Sequence, residues 1–404
     1  MSLTVLGVVT FVVVLLVSVA VHELGHLLTA KRFGMKATEY FVGFGPRVWS
    51  FRRGETEYGL KAIPAGGYVK IVGMTDLEEV APADEPRAFY RQPAPQRLVV
   101  LAAGSVSHLV IGFVLFAFVL MVLGRPAPST TIGEVAPCVP VSAQATCSPG
   151  DPPSPAVLAG LRPGDRIVSV AGRTATDWDA AAAAIRGAGA GRVPIVVDRA
   201  GTEVRVTADL VSRERPADDD PNRTQAVGVL GVTPDLVMRH AGPGETITTS
   251  AEAVWGTVVL TGQVLVQIPG KIPELIDALT GGQRDPTGLV GVVGIARISG
   301  ETLSSGDLPF TAKFGNILLQ MAALNVFVGL FNALPLLPLD GGHIAVVLFE
   351  TARSRIYRLF GRPDPGRVDL TKLLPAAYLF LILLVGLTVL LLAADIVNPV
   401  QIPS

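Results

Sequence analysis

Half of the 404 residues are hydrophobic (50%) and only 17% are charged. That is too apolar for an ordinary soluble protein, and the length suits a membrane part plus one folded domain. A net charge of -1 leaves no basic excess to neutralise phosphates, which excludes a dedicated nucleic-acid binder.

An uncharged apolar run from Ser2 to Val21 leads straight into His22-Glu23-Leu24-Gly25-His26. About 20 apolar residues span a bilayer as a helix, so a first span is expected over residues 3–28. A signal peptide would carry a basic start and a small-residue cleavage site, and this stretch has neither. Two histidines four apart share one helix face, so both imidazoles can hold one Zn²⁺, and Glu23 beside them can take a proton from water. The motif lies at membrane depth, where ionisable groups are costly and usually functional.

Residues 29–97 form a basic loop that includes Lys31, Arg32, Lys36, Arg47, Arg52 and Arg53. Residues 39–74 read as strands. Glu57 to Ile63 and Gly66 to Ile71 are expected to pair as a membrane-associated hairpin around Pro64-Ala65-Gly66-Gly67. A free edge there, at Pro64, Gly66, Gly67 and Tyr68, can take an extended peptide as an added strand. Residues 75–96, acidic and then Pro-rich, read as a mobile loop. The second span is expected over 98–123 and opens with Leu101-Ala102-Ala103-Gly104-Ser105-Val106-Ser107-His108, whose small residues allow close helix packing. His108 is either a packing residue or a partner of the site, and its lack of metal spacing favours packing.

Residues 124–240 carry the pattern of a separate folded domain. Ser154 to Gly172 gives a short helix, a Pro-Gly-Asp turn and an alternating strand. A helix is expected over Trp178 to Ile185, and strands over Val193 to Arg199 and Glu203 to Leu210. This pattern resembles a PDZ domain of the bacterial protease type. Gly228, Leu230 and Gly231 fall where such domains grip a chain terminus through a strand edge and a glycine-rich loop. Cys138 and Cys147 are the two cysteines, and a disulfide or two free thiols fit the spacing equally. Residues 241–313 read as amphipathic membrane-surface helices, and Gly288 to Ile295 as a glycine-rich loop lining access to the site.

A third span is expected over 314–339 and a fourth over 373–394, joined by a basic loop at 341–372. Asn325 and Asn332, seven apart, share a face of the third span, where Asn325 is a candidate substrate-binding residue. Pro335 and Pro338 then break the helix, and Asp340 follows at the depth of His22 and His26. A catalytic zinc wants a third protein ligand, for which Asp340 is the candidate and His343 its rival. Four spans with basic loops inside place both termini and residues 124–313 outside the cytoplasm.

The intramembrane HExxH, together with Asn332-x-x-Pro335-x-x-Pro338-x-Asp340-Gly341-Gly342, resembles the site-2 protease family, in its bacterial branch with a PDZ domain. Pro64 to Tyr68, Gly160 to Ile167 and Gly291 to Ile295 add to the likeness. The resemblance implies an α-helical polytopic membrane protein of about four transmembrane helices, with a β-hairpin region and one extracytoplasmic α+β PDZ domain. It implies His22, His26 and Asp340 as zinc ligands, Glu23 as general base, and Asn332 as a holder of the substrate or its oxyanion. The implied activity is zinc-dependent cleavage of transmembrane substrates, anti-sigma factors or signal-peptide remnants, in the cytoplasmic membrane after a site-1 protease has trimmed them. Two positions depart from the family: His108 stands where Asn is frequent, and residues 291–295 lack the usual proline. The competing readings are an HExxH protease with a glutamate as third ligand, which no later span supplies, and a zinc-free PDZ scaffold or chaperone for membrane-protein tails.

Overall fold

The computed structural model describes residues 3–74, 79–140, 147–148, 150–216, 224–282, 284, 288–304 and 309–400. Two units divide the chain: residues 1–124 with 240–404, and residues 125–239.

In apolar surroundings a backbone must satisfy its own hydrogen bonds, which makes each long apolar run a helix. Thus α1 covers Leu3–Arg32 and α2 covers Ala94–Phe118, extended by a π turn to Leu123. Between them lie β1 (Ala37–Arg53) and β2 (Thr56–Ile71). Gly43 (φ +93°) and Gly45 (φ +81°) bend β1, and Gly66 (φ +139°) bends β2, conformations that cost a glycine little. Each strand therefore folds into two segments. Residues 37–42 pair antiparallel with 67–71 and, in the same direction, with 57–60, while 47–53 pair antiparallel with 56–61. The expected hairpin is thus corrected. Its two arms flank residues 37–42 rather than each other, and 67–71 is left as an edge of the sheet. The following segment is also tighter than a mobile loop. Phe89 is buried, and Arg87 makes two hydrogen bonds of 2.7 Å to Glu55. Residues 75–78 lie outside the described residues.

The second unit contains β3 (Arg125–Val135), α3 (Pro155–Leu158), β4 (Arg166–Val170), β5 (Arg173–Thr174), α4 (Trp178–Ala188), β6 (Gly191–Arg199), β7 (Thr202–Pro216), β8 (Thr224–Val229) and β9 (Val232–Arg239). The strands form a sheet in the order β8-β7-β6-β4-β3-β9, with β5 on β4. Its core includes Ile132, Ile167, Val170, Ile185, Val193, Ile195 and Val197; period-two alternation turns the three β6 residues inward, while in β4 a register shift between Ile167 and Ser169 lets residues three apart both face the core. Ser154 and Asp177 cap α3 and α4 by accepting from Val157 and Ala180 N–H groups. Cys138 and Cys147 are joined by a disulfide. Asp165, buried in the Pro-Gly-Asp turn, accepts two hydrogen bonds from Arg199 (2.7 and 2.8 Å) and one from Arg162 N–H (2.9 Å).

Returning to the first unit, α5 spans Pro243–Leu279, α6 Val292–Ser304, α7 Phe310–Asn332, α8 Asp340–Leu359 and α9 Leu374–Val397. Three expectations change here. Residues 292–295, expected in a loop, open α6, residues 341–359 of the expected loop 341–372 belong to α8, and the third span stops at Asn332 instead of 339. Close backbone contacts order the bundle. A Cβ on Gly7 would stand 2.5 Å from Ser299 O of α6, and one on Gly315 of α7 would stand 3.5 Å from Val119 Cγ1. The start of α6 is tied to the last turn of α9, where Asp395 accepts from Gly294 N–H (2.7 Å) and Arg284 (2.7 Å). The starts of α1 and α7 and the ends of α2 and α9 therefore share one end of the unit, opposite the histidines. Among the described residues five helices, α1, α2, α5, α7 and α9, are long and apolar enough to cross a membrane. Of these, α5 begins where Ala241 N–H donates to Leu120 O (2.9 Å) and ends where Asn398 donates to Ala278 O (3.0 Å). Both its ends thus lie at the same end of the bundle.

The Arg199 guanidinium holds the Asp165 carboxyl below the usual carboxylate range. A carboxylate depressed on folding contributes its stability in full above the unfolded value, about pH 4, and loses it as pH falls through the folded value. Amide exchange of residues 160–199 in the full chain, corrected for intrinsic rates, should therefore accelerate on the acid side. Asp165→Asn should remove that step and cost about 2 kcal/mol at neutral pH.

Candidate metal centre

Helical periodicity puts His22 and His26 of α1 on one face, and α2 packs on that face through a residue without a side chain. A Cβ on Gly104 would lie 2.4 Å from His26 Nε2 and 2.5 Å from His22 Cε1. One turn earlier on α2, Val100 O accepts a hydrogen bond of 2.7 Å from His26 Nδ1. That bond fixes the tautomer and leaves Nε2 with a free lone pair for a metal.

The third group comes from the far end of the chain. Asp340 opens α8, and the glycines after it let the turn close. A Cβ on Gly341 would meet Ala333 O at 2.2 Å, and one on Gly342 would meet Leu337 N at 2.6 Å. Asp340 Oδ2 lies 3.4 Å from His22 Nε2 and 3.3 Å from His26 Nε2, and the two Nε2 atoms are 3.2 Å apart. Donors held at about 2.0–2.1 Å from zinc in a tetrahedron stand roughly 3.3 Å from one another. Asp340 Oδ2 is buried without a hydrogen-bond partner among the described residues, and contacts of this length are too long for a charge-assisted bond. A shared cation satisfies all three groups, so the donor set fits zinc. Among the described residues this is the group of metal-binding type that the fold assembles. His343, the rival ligand, is not in it.

Glu23 is half-buried beside the histidines, and a Cβ on Gly67 would stand 3.0 Å from its Cγ. The sheet edge at 67–71 therefore lies against the carboxylate. Tyr68 on this edge donates to Glu39 (2.5 Å) and accepts from Lys61 (2.9 Å). Pro64 is exposed, and Gly66 lies where a Cβ would be 2.8 Å from the Phe44 ring. Asn332 is half-buried at the last residue of α7, eight residues before Asp340. Asn325, by contrast, is buried one turn after Met321 and bonds His108 Nδ1 through Oδ1 (2.9 Å).

Gly228, Leu230 and Gly231 belong to the second unit, in a groove of about 530 Å³ that they line with Trp178, Ile185 and Val227. Gly231 adopts φ +85° and Leu230 O accepts from Ala156 N–H (2.9 Å). Sequence reasoning missed Gly104 and the Val100 carbonyl. The run of small residues from Ala102 to Ser107 marked close packing without saying on what.

Residues 10–362 match peptidase family M50. The chain belongs to that family. It is 40% identical over 405 residues to zinc metalloprotease Rip1 of Mycobacterium tuberculosis, covering 98% of each chain. To zinc metalloprotease Rip1 of Mycolicibacterium smegmatis it is 39% identical over 410 residues, again covering 98% of each. The M50 match runs from α1 to just beyond α8 and so includes both halves of the cluster.

Because a methyl group on Gly104 would overlap both imidazoles, Gly104→Ala should abolish metal retention. Gly256→Ala on α5, where a Cβ meets nothing within 4 Å, should leave it intact. Zinc content of the purified full chain, measured by elemental analysis, checks both.

Proposed function

We propose that this M50 peptidase is an intramembrane zinc metalloendopeptidase that cleaves transmembrane segments of single-span proteins, such as pre-trimmed anti-sigma factors or signal-peptide remnants. The carrying observation is the convergence of His22, His26 and Asp340 at zinc spacing, with Glu23 beside them, where α1, a helix apolar enough to cross a membrane, meets the start of α8. The identity to proteins named zinc metalloproteases over nearly the whole chain supports the same reading.

His22, His26 and Asp340 would hold the zinc, which supplies a Lewis acid that makes water nucleophilic near neutral pH and polarises the scissile carbonyl. Glu23 takes the proton of the attacking water and delivers it to the leaving amine. Asn332, one helix end away, donates to the oxyanion that develops on the carbonyl. A transmembrane helix keeps its amides in its own hydrogen bonds, so the substrate has to unwind before water attacks. The edge strand 67–71, against Glu23, offers backbone groups with which the unwound segment pairs as an added strand, and Tyr68, steadied by Glu39 and Lys61, packs on its side chains.

Basic residues in 29–97 and 353–372 place those segments in the cytoplasm by the positive-inside rule. Both termini and the second unit are then outside, and α5, with both ends at the outer end of the bundle, lies along that side instead of crossing. The second unit acts as a PDZ domain. Its groove between α4 and β8 takes a newly exposed carboxyl terminus, so that trimming by a site-1 protease becomes a condition for cleavage.

Two measurements test the reading on full-length protein in detergent or liposomes. The wild-type chain should retain zinc and cut a trimmed single-span substrate, whereas Glu23→Gln should keep the zinc and lose cleavage by about 10²–10⁴-fold. A zinc-free wild type, or equal cleavage by Glu23→Gln, would overturn it. Gly67→Val, which puts a branched side chain against Glu23 and the sheet edge, should lower cleavage at least tenfold without loss of zinc, measured by the same two assays.

A further inference from the structure

The helix α8 carries Asp340 in its first turn, yet little of it is buried. Its buried residues are Gly341 and Gly342 in the turn, Val347 and Glu350, while Leu348, Phe349 and Ile356 are exposed. The two glycines let the chain turn without fixing where the helix then points. Val347 belongs to one apolar cluster with Val100 and Leu101 of α2, but apolar contact is non-directional and lets a helix slide or roll. Glu350 is different. Its Oε2 accepts from Arg97 Nη1 (3.0 Å) and its Oε1 from Val368 N–H (2.9 Å). The Arg97 and Glu350 side chains are only 13% and 11% exposed.

Arg97 stands on α2 seven residues before Gly104, which is two helical turns and puts it on the face that meets the imidazoles. Val100, whose carbonyl holds His26, lies between them. Along α2 the pair is about 10 Å from Gly104, and along α8 it is about 15 Å from Asp340. Asp340 and Glu350 share one unbroken helix, so a shift of either along α2 shifts the other. A buried ion pair is a poor source of stability, because desolvation offsets most of the attraction and apolar residues of similar volume serve a fold as well. What it supplies is register, since two buried charges that fail to meet are costly. Arg97 Nε is itself buried without a partner among the described residues, so a displaced Glu350 would leave the guanidinium largely unsatisfied.

We propose that Arg97 and Glu350 are positioning residues for the metal ligand Asp340: their ion pair sets the register of α8 on α2, and through it the place of Asp340 Oδ2 against His22 and His26. The Val368 N–H ties the segment before α9 to the same carboxylate. The inference rests on the zinc reading above.

The test sets zinc affinity of the full chain in detergent, by competition with a chromophoric chelator, against thermal unfolding of the metal-free protein. The visible spectrum of the cobalt-loaded protein reports ligand geometry. In Arg97→Met/Glu350→Leu apolar side chains replace the pair, so the unfolding temperature should stay at the wild-type value or rise. Zinc binding should nevertheless weaken about tenfold, the lower end of the cost of losing an outer partner of a metal ligand, and the cobalt bands should shift. Arg97→Lys, which keeps a cation facing Glu350, should bind zinc more tightly than the double variant. Should the double variant fail to fold, Glu350→Gln, which keeps an acceptor for Val368 N–H and gives up the charge, should bind zinc more weakly than Arg97→Lys. A double variant within about threefold of a zinc-binding wild type, short of that cost, would overturn this inference alone. So would an unchanged cobalt spectrum, a zinc loss accompanied by a fall in unfolding temperature, or equal affinities of Arg97→Lys and the variant set against it. A wild type that binds no zinc would instead overturn the function proposed above.

Discussion

The structure depends first on how closely α2 approaches α1. At Gly104 the two helices touch without an intervening side chain, and any Cβ there would occupy the space of the imidazole rings. The same approach brings the Val100 carbonyl to His26 Nδ1. A helix carbonyl is an unusual hydrogen-bond partner for a distant side chain, because its first lone pair serves the helix; its second is available only where packing is this tight. One glycine thus sets both the room for the ligands and the tautomer of one of them.

From that contact the other half of the site follows. Two histidines on one helix leave a catalytic zinc one protein ligand short, and an acid in an apolar bundle is costly unless it coordinates or pairs. The chain resolves this by ending α7 at Asn332, turning through Leu334–Leu339, and starting α8 on Asp340. The turn is feasible because Gly341 and Gly342 lie against backbone atoms of residues 333–337. Asp340 at the first turn of α8 is also favoured by the helix dipole, so the proposed ligand position is one where a carboxylate is stabilised.

In the proposed function the sheet and the second unit handle different parts of the substrate. Gly43, Gly45 and Gly66 bend two long strands into four segments, and this leaves 67–71 as an edge against Glu23. A backbone edge is indifferent to side chains, so in the proposed function selection falls to the groove of the second unit. Its core is built within the unit itself, by the alternation of β6, the shifted register of β4 and capped helices.

Much of the chemistry was legible in the chain alone. The i, i+4 spacing of His22 and His26, the apolar run before them, the breaks at Pro335 and Pro338 and the acid at Asp340 are local patterns, and local patterns are governed by helix geometry and by the hydrogen-bonding demands of an apolar environment. Packing decided the rest. That Asp340 Oδ2 meets both imidazoles, that Gly104 rather than Ala102 or Ala103 faces them, and that His108 bonds Asn325 are contacts between residues far apart in sequence. Each is set by the relative rotation of two helices, which their own periodicity leaves open. The strand order was misjudged for the same reason. Pro64 to Gly67 announces a turn, but only the insertion of residues 37–42 between its arms determines with which neighbour each arm pairs. For α5 the amphipathic pattern suggested a surface helix while its length and apolarity also permit a crossing, and its two ends, anchored at Leu120 and Asn398, lie at one end of the bundle.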